Sequence, residues 1–413
     1  MPAAKMHSWT FRARFRAGAF GWRSDLPIKR IKEAVTEIKT VARKDRVLAA
    51  EGAVIFLEKV AGALEQVDSS SGAIGMAVNR AIETLVPIIA QAPASDDMRD
   101  KWLECLWCAI EDDAMPYIEL LPDRWGEVCV TPERASQWAD HFIGVVRMAW
   151  SPDQPRGGHF KGTAACLSAL FAAGRFDDLL KLLDLAPYKF WHDRQWGVRA
   201  QLAQGKTTEA IRYAEDTRGI NQPNSHISWA CEAILLSSGL WREAYDRYAL
   251  EANRNSTYLA TFQAIANKYP QIEPKVIFGD LVGGTPGEEG KWFAAAKSAG
   301  LLAEAAELAR TSPCDPKTLT RAARDFAASR PEFARSVGLA ALQWLLCGYG
   351  YELSAQDVAS ALHHTWEAAR QTGTEADTVR RIQLLVDQHP RADRAIISLM
   401  QLKLDEMTKA SAP

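Results

Sequence analysis

The chain has 413 residues, 47% hydrophobic and 24% charged, with a formal net charge of −2. That length exceeds one ordinary core and points to two or three domains or one extended repeat array. The composition is that of a folded protein, and the near-neutral balance excludes a surface that coats nucleic acid as a whole. Seven scattered cysteines do not read as a disulfide framework, and no apolar run of signal-peptide or membrane-spanning length is found. A reducing, cytoplasmic setting is expected. The charge is unevenly placed: residues 1–46 hold twelve Lys/Arg against four Asp/Glu, and residues 95–140 hold the reverse, four against twelve.

In chain order, residues 1–27 form a basic aromatic arm, in which Trp9, Phe11, Phe15, Phe20 and Trp22 interleave with Arg12, Arg14, Arg16 and Arg23. A helical domain is expected over 28–150. Ile28, Ile31, Val35, Ile38 and Ala42 recur at helical spacing, and Val54, Phe56, Leu57, Val60, Leu64 and Val67 mark a second helix. Residues 68–72 break the pattern. A third helix carries Ile74, Val78, Ile82, Leu85 and Ile89, with a bend at Pro87, and a fourth runs from about 95 to 112. Thr131-Pro132 has the form of an N-cap followed by proline at the first helical position, ahead of Trp138, Phe142, Val145 and Ala149. Pro, Gly and polar residues over 151–162 mark a linker.

A repeat follows over 163–315. Gly174, Gly205, Gly239 and Gly300 stand 31, 34 and 61 residues apart, each between two apolar helical stretches. Glycine reaches positive φ without strain and suits a tight turn between helices. Ala210, Ala244 and Ala305 stand five positions after their glycines, where a small residue permits close helix packing; Leu179 takes that place in the first unit. The period and the Gly-x-x-x-Glu-Ala step resemble the tetratricopeptide repeat. The early aromatic and small residues of that family's first helix, and its closing proline, are mostly missing. The resemblance implies an all-α, helical-hairpin solenoid (TPR-like) preceded by an α-helical N-terminal domain. The whole chain also resembles bacterial helical proteins, a likeness that implies no function. Pro and Gly density over 270–290 suggests a long loop interrupting the array. A C-terminal helical region over 316–413 resumes at about 317–329, 331–346, 355–371, 375–388 and 392–409, with Ser354 and Asp357 starting the third of these.

Several motifs invite chemistry. The glycine-rich stretch 283–291 fails as a phosphate loop, because its first glycine position falls on Thr285 and Trp292 takes the Ser/Thr position. Cys105 and Cys108 have ligand spacing without a second pair, so buried thiols are expected. His363-His364 and His192-Asp193 lack spaced partners, and Asp68 to Gly75 has the form of ordinary helix capping. No cofactor or metal is expected.

Arg134 and His141 stand seven apart on one helix face and resemble the Arg-x(4–6)-His motif of HEPN ribonucleases. That resemblance implies His141 as general base on a ribose hydroxyl and Arg134 on the phosphate. Alanine after the arginine and Asp140 beside the histidine depart from the motif. The arm offers a further binding set, Arg12, Arg14, Arg16, Trp22, Arg23, Lys29, Arg30 and Lys32: cations for phosphates, rings for stacking on bases. Alternatively the arm docks on an acidic protein surface, with the chain's own 95–140 region as its expected partner. The leading reading is a non-catalytic scaffold that binds a protein or peptide on the repeat array, since such arrays expose long concave surfaces. The alternatives are nucleic-acid binding by the arm and ribonuclease action; a membrane partner is not expected.

Overall fold

The computed structural model describes residues 7–151, 158, 160–220 and 222–410, so most of the 151–162 linker lies outside the described residues. Among the described residues there are 22 α-helices, one 3-10 turn and no strand; the protein is all-α. The chain divides into two compact units, 1–223 and 224–413.

The first unit contains α1 (Asp25–Ala42), α2 (Arg46–Leu64), α3 (Ala73–Ala90), α4 (Asp96–Asp112), short α5 (Leu120–Asp123) and α6 (Trp125–Cys129), and α7 (Pro132–Ala149). It continues with α8 (Thr163–Ala172), α9 (Phe176–Asp184), α10 (Trp191–Ala203) and α11 (Thr207–Glu215). Local signals set many of the starts. Asp45, Ser95 and Thr131 accept from the backbone N–H three residues on, and Pro132 follows Thr131 as expected. Helix α2 packs on α1, α3 and α4. It is apolar on nearly every face, burying Ala49, Ala53, Phe56, Leu57, Val60 and Leu64, which is the pattern of a central helix. Helix α3 is long and apolar enough to cross a membrane, yet its Ile74, Val78, Ile82, Leu85 and Ile89 are fully buried in the core.

The basic aromatic arm is part of this core. Trp9, Phe11, Phe15 and Phe20 are all buried. Phe11 and Phe15 meet Phe56 edge-on at 5.8 and 5.1 Å, and a Cβ on Gly52 would collide with the Trp9 ring. Backbone bonds run from Gly18 N to the Gly62 carbonyl and from Asp68 N to the Trp22 carbonyl. The arm therefore docks on its own chain, but the acidic 95–140 region is not where the described contacts lead. Its charged contacts go to α1: Arg14 pairs with Glu33 at 3.0 Å, and Thr10 N donates to Glu37 at 2.9 Å. Burial of rings drives the docking, because the alternating arginines face water.

The second unit contains α12 (Asn224–Ser237), α13 (Trp241–Ala252), α14 (Tyr258–Lys268), α15 (Pro274–Gly283), the 3-10 turn Glu289–Trp292, α16 (Phe293–Ser298) and α17 (Leu302–Thr311). It ends with α18 (Pro316–Phe326), α19 (Pro331–Leu346), α20 (Ala355–Thr372), α21 (Glu375–Gln388) and α22 (Arg394–Ala410). The last five match the expected helices, and Ser354 with Asp357 forms a reciprocal capping box. Residues 270–290 differ from the expected loop. Pro274 stands in the first turn of α15, where its missing N–H is no loss, and the helix runs through Gly279.

Helix hairpins turn at all four repeat glycines. Gly174, Gly205, Gly239 and Gly300 have φ of 70° to 75°. At each, the next residue's N–H reaches back five positions: Arg175 to Leu170, Lys206 to Gln201, Leu240 to Leu235, Leu301 to Ala296. This is the Schellman closure of a helix end. Leu179, Ala210, Ala244 and Ala305 are fully buried in the second helix of each pair. Gly348 and Gly373 make the same closure through Tyr349 to Trp344 and Thr374 to Ala369. Nothing lies within 4 Å of a Cβ built on Gly205, so Gly205→Ala is expected to cost only the left-handed penalty, about 1–2 kcal/mol. Urea unfolding measures it; an unchanged midpoint would remove the positive φ as the reason for the glycine.

Candidate functional site

The residues singled out by sequence fall in separate places. Arg12, Arg14, Arg16, Trp22, Arg23, Lys29 and Lys32 are exposed, and Arg30 is half-buried in an ion pair with Glu33. Trp22 is the one ring of the arm's five left in solvent. Arg134 is buried: Nε and Nη2 donate to Asp100 and Asp96 at 2.7 and 2.6 Å, and Nη1 to the Cys129 carbonyl at 3.3 Å. His141 is exposed, with its ring against Trp138 and Phe142. The two share a helix, as expected, but the arginine is committed to pinning α7 on α4.

Cys105 and Cys108 are exposed, not buried as expected, because positions 105 and 108 fall on the outer face of α4 between buried Trp102, Leu103, Leu106 and Trp107. In 283–291, Gly290 packs against Pro313, and buried Trp292 donates its indole N–H to Thr285 Oγ1 at 2.6 Å. That stretch is a largely exposed turn, anchored at its end by Gly290 and Trp292. His363 and His364 lie with ring centroids 5.0 Å apart. No group of three His, Cys, Asp or Glu among the described residues is arranged to hold a metal ion. Cys347 Sγ lies 3.4 Å from His389 Nε2; burial pushes the thiol pKa up, which disfavours the reactive thiolate.

His192 and Asp193 border the feature that the sequence did not assemble. A cleft of about 700 Å³ opens in the first unit between the end of α4, the end of α7, α8 and the start of α10. Its construction begins where α4 stops. Asp113 follows the last helical residue and is 6% exposed; its Oδ2 accepts from Ile118 N at 2.9 Å and so folds the 113–118 turn. Lys161 closes the helix end, its ammonium donating to the carbonyls of Glu111 and Asp113 at 2.8 and 2.7 Å. Four orphan carbonyls and the negative end of the helix dipole make this a natural seat for a cation. Phe160 and Trp150 supply one apolar wall, and the α9–α10 connection brings Tyr188 and Phe190, whose rings stand 5.5 Å apart.

The first turn of α10 then presents His192 and Asp193. His192 Nε2 stands 3.4 Å from Asp123 Oδ1 at the end of α5. Burial pushes the carboxyl pKa of Asp113, Asp123 and Asp193 upward, and the neighbouring His192 holds back the rise for the last two. The cleft is thus apolar in its walls and acidic in its polar groups. Sequence reasoning placed Phe160 and Lys161 in a linker and found no partner for His192, because Asp123 is 69 positions away.

No protein-family model and no curated protein matches the chain. Among solved structures, it is similar to a circular tandem repeat protein with novel repeat topology and enhanced subunit contact surfaces. That likeness has 14% identity, covers 92% of this chain and 88% of that one, and has a TM-score of 0.17, too loose to carry an argument about fold or function.

Proposed function

We propose that the protein is a non-catalytic, TPR-like helical-hairpin scaffold that receives a segment of another protein in the cleft of its first unit. The observation that carries this reading is an open, apolar-walled cleft whose surroundings leave large apolar side chains in water. Tyr188 and Phe190, both cleft-lining, are 58% and 51% exposed. Met115 and Leu185, each next to a lining residue, are exposed as well. Exposed apolar side chains grouped around a cleft, with Tyr188 and Phe190 in ring contact, are a mark of interaction sites. Seven cysteines, none of them in a disulfide, favour a reducing, cytoplasmic setting. The arm rings needed for base stacking are mostly core residues, and Arg134 is spent on carboxylates, so the nucleic-acid and ribonuclease readings draw less support.

A photo-crosslinking residue in place of Tyr188, in the native cell, tests the reading, with the same residue at exposed Tyr351 as control. A protein adduct specific to position 188 and lost with Phe190→Ser is expected. Adducts shared with position 351, or unaffected by Phe190→Ser, would overturn cleft docking. Adducts to RNA alone would move the function to nucleic acid.

A further inference from the structure

The chemistry of the cleft specifies more than an apolar partner. Asp113 is more than nine-tenths buried, lines the cleft, and leaves Oδ1 without a hydrogen-bond partner. Buried acceptors nearly always find a donor; Oδ1 is itself covered, so a donor coming from the cleft reaches it by displacing the atoms that cover it. The charge of the lining points the same way. Among the described residues of the lining, Asp113, Glu119 and Asp193 face the basic side chains Lys161 and His192 alone. The Lys161 ammonium is already occupied by backbone carbonyls of α4, and His192 stands beside Asp123. An anion would meet three carboxylates that Lys161 and His192 offset only in part, and a neutral apolar group would leave Asp113 as it is. A cation on an apolar stem satisfies both features: its head reaches the carboxylates, and its stem lies along Trp150, Phe160, Tyr188 and Phe190, whose ring faces also attract positive charge.

We propose that the cleft selects a basic side chain, arginine or lysine, presented by the docked segment; this rests on the docking reading above. A segment fits better than a free amine. A volume near 700 Å³ suits a ligand of drug size, and the exposed rings at Tyr188 and Phe190 offer contact area beyond one side chain. Burial, which raises the carboxyl pKa of Asp113 and Asp193, makes an incoming positive charge the natural compensation.

The test uses the full chain with ¹⁵N-labelled tryptophan, the Trp150 indole signal being assigned by Trp150→Phe. Three capped pentapeptides, Ala-Leu-X-Leu-Ala, carry arginine, the neutral isostere citrulline, or norleucine at X; free n-propylguanidinium is the fourth probe. The arginine peptide is expected to shift the Trp150 signal saturably, and the citrulline peptide to bind at least about tenfold more weakly. Asp113→Asn, which keeps an acceptor for Ile118 N, should shrink that ratio to about twofold or less. The partly exposed variant Asp193→Asn should shrink it too, which covers the case in which Asp113→Asn fails to fold. Equal binding of all three peptides would overturn charge selection and leave cleft docking intact. Saturable n-propylguanidinium binding without peptide binding would replace the protein segment by a free cation. No saturable shift with any probe would overturn the inference, while the crosslinking at position 188 would still judge the docking reading on its own.

Discussion

Phe15→Ala is expected to lower the stability of the first unit by about 3–5 kcal/mol, the range for deleting a buried phenyl ring. Phe15 is 1% exposed and meets Phe56 at 5.1 Å and Phe20 at 5.4 Å, both edge-on. Removing it opens a cavity against α2, the helix that packs on α1, α3 and α4. The neighbouring Arg12→Ala and Arg16→Ala, both exposed, should change stability by no more than about 0.5 kcal/mol. With two compact units, unfolding of the whole chain need not be one transition. Hydrogen exchange of the α2 amides therefore isolates the relevant unit. A loss below about 1 kcal/mol would mean that the arm is not part of the core. The contrast between rings and arginines also separates docking by burial from docking by charge, since the latter would invert the order of the effects.

The second large effect is expected in the other unit. Glu232 on α12 is 1% exposed and holds three donors: Tyr269 Oη at 2.6 Å, Asn253 Nδ2 at 2.7 Å and Lys268 Nζ at 2.8 Å. Its carboxylate ties α12 to the end of α13 and to the end of α14. Glu232→Ala leaves the buried Tyr269 phenol without its acceptor, takes from the Asn253 amide one of its two acceptors and unpairs the part-exposed Lys268 ammonium, and is expected to cost about 3–5 kcal/mol. Glu232→Gln keeps one good acceptor, loses the charge, and should cost less, about 1–3 kcal/mol. Thermal and urea unfolding of both variants check the order. If glutamine and alanine were equally disruptive, shape rather than the ion pair would be the cause. If both were mild, the network would be dispensable.

Much of the fold was legible because its signals are local. A left-handed residue at a helix end is written in one glycine, and the 3.6-residue period of a buried face is written within a dozen residues. Gly174, Gly205, Gly239 and Gly300 therefore marked their turns correctly. Gly348 and Gly373 were passed over because they stand 25 residues apart, off the period of the others, and because neither is followed by the full Gly-x-x-x-Glu-Ala step. Residues 270–290 misled because proline was taken as a breaker, whereas Pro274 occupies the one turn of a helix that tolerates it.

The arm and the cleft were decided elsewhere. An alternation of rings and arginines is equally compatible with stacking on bases and with packing into a core. The choice lies in the surface that meets it: Phe56, the bare backbone of Gly52 and the Gly62 carbonyl, all on α2. The charge split suggested a long-range match of +8 to −8, but α1 lies next in the chain and offers Glu33 and Glu37 directly, while the acidic segment engages Arg134 and Arg175. The cleft gathers Asp113, Trp150, Lys161, Tyr188 and Asp193 across some 80 positions of sequence with no period to connect them. By itself, then, the sequence determined the helices, their caps and their glycine turns, because each depends on residues within one or two turns of chain. The tertiary structure alone decided which aromatic rings are core and which acidic groups share a cleft, because burial and electrostatic environment are properties of surfaces brought together from distant positions.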